Sequence, residues 1–270
     1  MQMLRMNDGA KIPALGLGVW QIPAVQTAQV VAEAIGLGYP LVDGAAIYGN
    51  EAGLGDGVRA AGVSRDQVFV TTKIWNDRQG HDETLRAFDD SVARLGLTPD
   101  LVLIHWPCPA RDLYLDTWRA LIRLRDDGRV TSIGVSNFMP EHLERVIGET
   151  GVIPVVNQIE LHPEFQQTEL RALHDRLGIV TQSWTPLGHG RSFGAPAVQA
   201  IAARTGKTPA QVILRWHVQL GCSVIPRSTH AGRLAQNLDV FDFALDAAEM
   251  AAMAALDIGA RGGPDPAQFS

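Results

Sequence analysis

Two rhythms of apolar and polar residues alternate along this chain. The first is a short run apolar on both faces: PLVDGA, QVFVTTK, DLVLIHW, VTSIGVS, VVNQIE, IVTQSW and CSVIP. Such runs read as strands buried from both sides, as in a parallel sheet covered by helices. The second rhythm recurs every three or four residues. Val30, Val31, Ala34 and Ile35 share one helical face, as do Leu85, Phe88, Val92 and Leu95, then Leu115, Trp118, Leu121 and Ile122. Leu143, Val146 and Ile147 repeat the pattern, and so do Leu170, Leu173 and Leu177. That spacing turns each set toward a sheet.

The punctuation agrees. Gly36, Gly38, Gly128 and Gly178 stand where helices should stop. After the seventh strand come two helical segments, PAVQAIAART and TPAQVILRWHVQL, the second opened by Thr208 as cap and Pro209 as first residue. CSVIP is followed by a helix expected from Thr229 to Asn237, and a final helix opens on an Asp246–Glu249 capping box and buries Met250, Met253 and Leu256. At the other end, LRMNDGAKIPALGLG sets an NDG turn between short apolar pieces. It predicts a hairpin leading into a first strand at Leu15–Gly18. A helix from Asn50 carries Leu54, Val58 and Ala61 on one stripe. Its Gly53, Gly55 and Gly57 each cost ~1 kcal/mol relative to alanine, which implies close packing against a neighbour. Eight strands alternating with helices, with no linker between them, predict a (β/α)8 TIM barrel. It carries an N-terminal β-hairpin and extra helices after strand 7 and at the C-terminus, and forms one domain over residues 1–270.

Composition narrows the function classes. Apolar residues at 46% supply a large core, and charged residues at 19% exclude a disordered chain. A net charge of −6 argues against a nucleic-acid or anionic-membrane partner. The opening MQMLRMNDGAKIP lacks an apolar signal core, and no later run approaches the ~20 apolar residues of a membrane span. Cys108 and Cys222 form neither a CxxC nor a disulfide framework. The expectation is a reduced, soluble, cytoplasmic monomer.

The chemistry gathers at strand ends. GYPLVDGAAIYGNE delivers Asp43 and Tyr48 onto the loop beyond one strand; FVTTK ends in Lys73, and LVLI is followed by His105. In a parallel barrel the carboxyl ends of the strands form the catalytic face. Taken alone, Asp43 and Tyr48 read as a solvated loop carboxylate and a rim residue. Lys73 is harder to set aside, because an ammonium at a barrel mouth is costly unless paired, and Asp43 would pair it. An ammonium beside a phenol favours phenolate, so the Tyr48 pKa is expected to fall and make it a usable proton donor. His105 then serves as a neutral partner for a substrate carbonyl. The four make a proton-delivery device without a reductant of its own.

GYPLVDGAAIYGNE, TTKIWND, LVLIHWP, IGVSN, NQIELHP, SWTPLG and IPRSTHAGRLAQN resemble the successive signatures of the aldo-keto reductases, in order and at family spacing from about Leu4 to Leu256. The branch they resemble most is the bacterial 2,5-diketo-gluconate reductases. The resemblance implies a barrel that binds NADPH, with NADH as a second candidate, and reduces a small-molecule aldehyde or ketone, a keto-sugar acid among them. It assigns Tyr48 as acid, Lys73 and Asp43 as its tuners and His105 as carbonyl orienter. It also assigns Trp184 to stack on the nicotinamide, and Ser136, Asn137 and Gln158 to hold its carboxamide. Leu187 lies along the pyrophosphate, Arg227, Ser228 and Arg233 hold phosphate, and Gln236 and Asn237 reach the adenine. Trp20, Trp75 and Trp106 would wall the substrate pocket, or else cover the barrel rim.

Other readings lack support. GLGVWQ misses the third glycine of GxGxxG, no tyrosine has a lysine four residues on, and no HxH or HExxH suggests a metal. His162, His174 and His217 read as structural or surface residues. Four positions depart from the family pattern: Gly44 where Thr or Ser is usual, Pro40 for Arg, Arg227 for Lys and Gln236 for Glu. Gly44 is expected to loosen Asp43 or a substrate contact. An alternative from another class is a cofactor-binding regulatory or sensor protein with little turnover.

Overall fold

The first two strands, β1 (Met3–Arg5) and β2 (Lys11–Pro13), form the expected antiparallel hairpin. In the computed structural model, which describes residues 1–269, the next eight strands make one parallel sheet in chain order. They are β3 (Leu17–Gly18), β4 (Leu41–Asp43), β5 (Phe69–Ile74) and β6 (Leu101–Ile104), then β7 (Ser132–Ser136), β8 (Val156–Glu160), β9 (Val180–Trp184) and β10 (Ser223–Val224). The two edges meet. Gly16 N donates to Val224 O at 2.9 Å, Val224 N to Ala14 O at 2.9 Å and Gly18 N to Pro226 O at 3.2 Å. The sheet therefore closes into the (β/α)8 barrel, and no open edge is left between β3 and β10.

Helices α1 (Ala24–Leu37), α2 (Glu51–Ala60), α3 (His81–Leu95), α4 (Tyr114–Asp126), α5 (Pro140–Thr150) and α6 (Thr168–Leu177) follow successive strands. After β9 come α7 (Pro196–Thr205) and α8 (Pro209–Gln219), then α9 (Ala231–Leu238) and α10 (Ala247–Ala254). Thr208 Oγ1 accepts from Gln211 N at 3.3 Å and Gln211 Oε1 from Thr208 N at 2.9 Å, so the expected cap of α8 forms. Asp246 and Glu249 exchange the same two bonds at α10, at 2.8 and 2.9 Å. The glycines of α2 have their explanation. A Cβ on Gly55 would lie 1.8 Å from Leu95 O, and one on Gly57 2.6 Å from Val31 Cβ, so α2 packs backbone-close on α1 and on the end of α3.

What positions the site is the period of two along the strands. At the amino end of the barrel the inward residues are apolar: Leu41, Leu101, Leu103, Val156 and Val180 pack together with Met6 and Ile12 of the hairpin segment. The hairpin thus plugs the floor. Two residues further along β4, β8 and β9 the inward set turns polar, with Asp43, Gln158 and Gln182, and Lys73 of β5 joins them, all buried. The change from apolar to polar along the barrel axis sets the depth of the site.

Candidate active site

Asp43 ends β4, and Lys73 stands one residue before the end of β5. Their inward side chains meet: Lys73 Nζ donates to Asp43 Oδ2 at 2.6 Å and to Gly44 O at 2.8 Å. Lys73 is fully buried and Asp43 is 2% exposed. Tyr48 closes the short 3-10 turn Ala46–Tyr48 just past β4, which brings its hydroxyl to 3.5 Å from Lys73 Nζ. The ammonium also lies 5.2 Å from the centre of the phenol ring. His105 follows β6 and presents its ring edge-on to Tyr48, centroids 5.7 Å apart, and to Trp75, 4.9 Å apart. The four expected groups converge.

Their protonation states follow from burial set against one short ion pair. Burial pushes the Asp43 carboxyl up, while the Lys73 ammonium and the Gln158 amide pull the other way. Burial also works against the charge on Lys73, but Asp43 and the Tyr48 oxygen more than offset it, and its pKa is raised. Tyr48 corrects the expectation drawn from sequence. Its pKa is raised, not lowered, because desolvation leads, and Asp43 opposes the pull of Lys73. The phenol is therefore held protonated, as a proton donor must be. His105 falls well below the ordinary 6.5 through burial first and Lys73 second, so the ring is neutral. Its Nδ1 is buried without a partner among the described residues. An orphaned N–H is rarer than an orphaned acceptor, so we assign the proton to Nε2.

Gly44 does not loosen Asp43. A Cβ there would fall 2.7 Å from Leu54 Cδ1, so the buried Leu54 fills the space of a larger residue. The backbone carbonyl of Gly44 still accepts from Lys73. Pro40 stands one residue ahead of β4, and its carbonyl accepts from Phe69 N at 2.7 Å.

Behind Asp43 runs a polar rung. Gln158 pairs in register with Gln182, and Gln182 with Ser223, across β8, β9 and β10. Gln158 Nε2 donates to Asp43 Oδ1 and to Gln182 Oε1, both at 2.7 Å. Gln182 Nε2 donates to Ser223 Oγ at 3.1 Å, and Ser223 Oγ to Pro13 O at 2.8 Å. Ser136 Oγ donates to Gln158 O at 2.7 Å and accepts from Asn137 Nδ2 at 3.1 Å. Asn137, with φ 63°, and Thr185, with φ 49°, turn the chain directly after β7 and β9. Left-handed backbone of this kind is costly for a β-branched residue such as threonine and gathers at functional sites.

Trp184 ends β9, and its Nε1 donates to Asn137 Oδ1 at 2.8 Å. The far edge of the indole meets the C-terminal segment, since a Cβ on Gly263 would lie 2.5 Å from Trp184 Cη2. That segment is held by Glu160, the last residue of β8, whose carboxylate accepts from Gly262 N at 2.7 Å and Gly263 N at 2.9 Å. His162 Nε2 lies 3.1 Å from the same carboxylate. Further on, Phe269 stacks on Trp106 at 4.6 Å. Trp106 is thus buried beneath the tail, while Trp75 is half-buried and Trp20 is 47% exposed at the mouth.

The remaining positions divide. Arg227, Arg233 and Gln236 are exposed, and neither arginine forms an ion pair among the described residues. Ser228 is buried, its Oγ accepting from His230 N at 3.1 Å in the turn before α9. Asn237 is also buried, beside the Tyr39 hydroxyl. Leu187 is half-buried against the core between sheet and helices. His162, His174 and His217 are all buried, and none is a surface residue. Sequence reasoning missed Glu160 and Gln182, and placed Leu54 only on the apolar stripe of its helix. Gln182 carried no signal of its own, because Thr181 and Ser183 beside it are polar as well.

The Aldo/keto reductase family model matches residues 14–258. An "Aldo-keto reductase" of Mycolicibacterium smegmatis is 52% identical, over 99% of this chain and 98% of its own. The Escherichia coli protein named "Methylglyoxal reductase DkgA" is 45% identical, over 99% of this chain and 98% of its own. Among solved structures, a Gox0644 mutant in complex with NADPH superposes with a TM-score of 0.96 at 50% identity, covering 100% of this chain and 98% of that one.

Proposed function

The chain belongs to the aldo/keto reductase family, and from that premise we propose that it reduces aldehydes and ketones with NADPH, Tyr48 supplying the proton. The family makes it an NAD(P)H-dependent oxidoreductase. One observation carries the residue roles: Lys73 Nζ stands 3.5 Å from the Tyr48 hydroxyl while Asp43 holds it from behind at 2.6 Å.

The residues present fit the cofactor. Among the described residues, Gln158 Oε1 accepts from none, and Arg227 and Arg233 are exposed cations without a carboxylate. Gln158 and Ser136 would hold the carboxamide, with Asn137 joining once its oxygen is released from Trp184. Arg227, Ser228 and Arg233 would hold the phosphate, and Leu187 and Gln236 the parts between and beyond. Bound there, NADPH supplies a hydride. The chain supplies the rest. His105, neutral, donates Nε2–H to the carbonyl oxygen and fixes its direction. Tyr48 passes its proton to the same oxygen as charge builds, and Lys73 stabilises the phenolate left behind. Asp43 and Gln158 keep the ammonium aimed.

For the substrate we propose small 2-oxo aldehydes and keto-sugar acids, on the strength of the relative named as a methylglyoxal reductase and of Trp20 and Trp75 at the mouth. Measuring NADPH oxidation with methylglyoxal, a keto-sugar acid and an aryl aldehyde tests this. Turnover with none of them, alongside tight cofactor binding, would favour a sensor over an enzyme.

A further inference from the structure

The rung behind Asp43 runs in one direction because both of its ends, the Asp43 carboxylate and the Pro13 carbonyl, can only accept. The Pro13 carbonyl can only accept, so Ser223 must give its single proton there and receive from Gln182 with its lone pair. That turns the Gln182 amide so that its oxygen, not its nitrogen, faces Gln158. Gln158 must then spend one amide hydrogen on Gln182 and the other on Asp43. Both hydrogens point into the barrel, and Oε1 is what remains for the mouth. Were Gln182 turned over, two amide nitrogens would face each other.

We propose that Gln182, with Ser223 behind it, is a positioning residue that fixes the polarity of the Gln158 amide jointly with Asp43, so that an acceptor awaits the amide hydrogens of the nicotinamide carboxamide. This rests on the reading that the carboxamide seats at Ser136 and Gln158. The polarity matters because the carboxamide selects which face of the ring is turned to the substrate. A flipped Gln158 would set donor against donor and would also withdraw the hydrogen bond from Asp43 Oδ1. Gln182 and Ser223 are wholly buried, in register with Gln158 but touching neither substrate nor cofactor.

The test uses the intact protein with NADPH and NADH as probes, titrated by fluorescence, and reduction with NADPH carrying deuterium at either C4 position. Gln182→Met is expected to weaken both cofactors about tenfold, roughly 1.4 kcal/mol, and to let label from the wrong face enter the product. Gln182→Glu, buried and protonated on the oxygen that faces Ser223, keeps an acceptor toward Gln158 and is expected to restore affinity to within about threefold. Ser223→Ala removes the Pro13 end of the relay and is expected to fall between the two. It also serves should Gln182→Met fold poorly. A folded Gln182→Met or Ser223→Ala that binds both cofactors as the wild type does, with unchanged facial selectivity, would overturn the proposal. So would a loss confined to NADPH, which points to the phosphate end. Wild type that binds neither nucleotide would sink the cofactor reading itself, a different result from any of these.

Discussion

The Lys73 ammonium lies 2.6 Å from the Asp43 carboxylate, and neither side chain reaches solvent. A pair at that depth is only marginally favourable as a whole, because both charges are desolvated, but breaking it strands the survivor. Lys73→Met is therefore expected to cost ~3–5 kcal/mol of stability as well as most of the activity. Adding Asp43→Asn to it should recover stability but not turnover. Denaturant unfolding of the three proteins checks this. A single variant that unfolds like wild type would show that the barrel mouth is wetter than its burial implies.

Tyr48 sets a different expectation. Tyr48→Phe should lower kcat by at least ~100-fold, the lower range for a general acid, while leaving NADPH affinity close to wild type. The pH profile adds the sign. The raised pKa of Tyr48 keeps the donor protonated, so the rate of reduction should hold through neutral pH and fall only above the ordinary phenol value of 10.0. His105 is neutral well below its ordinary 6.5, so no inflection is expected there. A rate that halves near pH 7 would contradict both assignments.

Two histidines far from the chemistry govern acid stability. His174 Nε2 lies 3.0 Å from Asn157 Nδ2, and the orientation of that amide is fixed because it also donates to Phe138 O at 2.9 Å. The ring nitrogen must accept there, and Nδ1–H points to Thr181 Oγ1 at 2.8 Å, so a second proton has no place. Burial, with Arg171 adding to it, holds His174 down at about 3. His217, donating to Pro186 O, is likewise held at about 3 by burial. The unfolded chain takes these protons near 6.5 and the native state does not. Stability is thus complete above about 6.5 and is lost as pH falls toward 3, at about 1.4 kcal/mol per pH unit for each histidine. His174→Gln should remove about one proton from that slope in urea melts between pH 4 and 7.

Legibility in the sequence followed the range of the interaction. Asp43 and Lys73 could be read because a polar residue ending an apolar strand has few explanations in a barrel. The caps of α8 and α10 could be read because both partners lie within three residues. Glu160 could not, since the amides it holds are 102 and 103 residues away. The same holds for Gln182, whose partners sit 24 and 41 residues distant on neighbouring strands. The direction of the Tyr48 shift was misread for another reason. Pairing with Lys73 is local chemistry, whereas the desolvation that outweighs it comes from the whole wall around the phenol. The glycines of α2 signalled close packing, but Leu95 and Val31 were named only by the fold.

On the function proposed above, the choice of nicotinamide cofactor turns on Arg227 and Arg233. Both are exposed and without an ion pair among the described residues, in a chain where Arg59, Arg65, Arg78 and Arg204 each find a carboxylate. Held for a 2′-phosphate, each guanidinium can make charge-assisted hydrogen bonds of about 1.5–3 kcal/mol. As plain surface charges they would be worth about 0–1 kcal/mol. Magnitude separates the two. Arg233→Ala should weaken NADPH by ~10- to 100-fold, since 1.4 kcal/mol is tenfold, and leave NADH nearly untouched. The loss should shrink as salt rises, because screening already weakens the wild-type contact. Titration of both nucleotides at two ionic strengths decides it. Equal losses for NADPH and NADH would make Arg233 a support of the loop before α9, and a wild type that prefers NADH would remove Arg227 from the phosphate pocket as well.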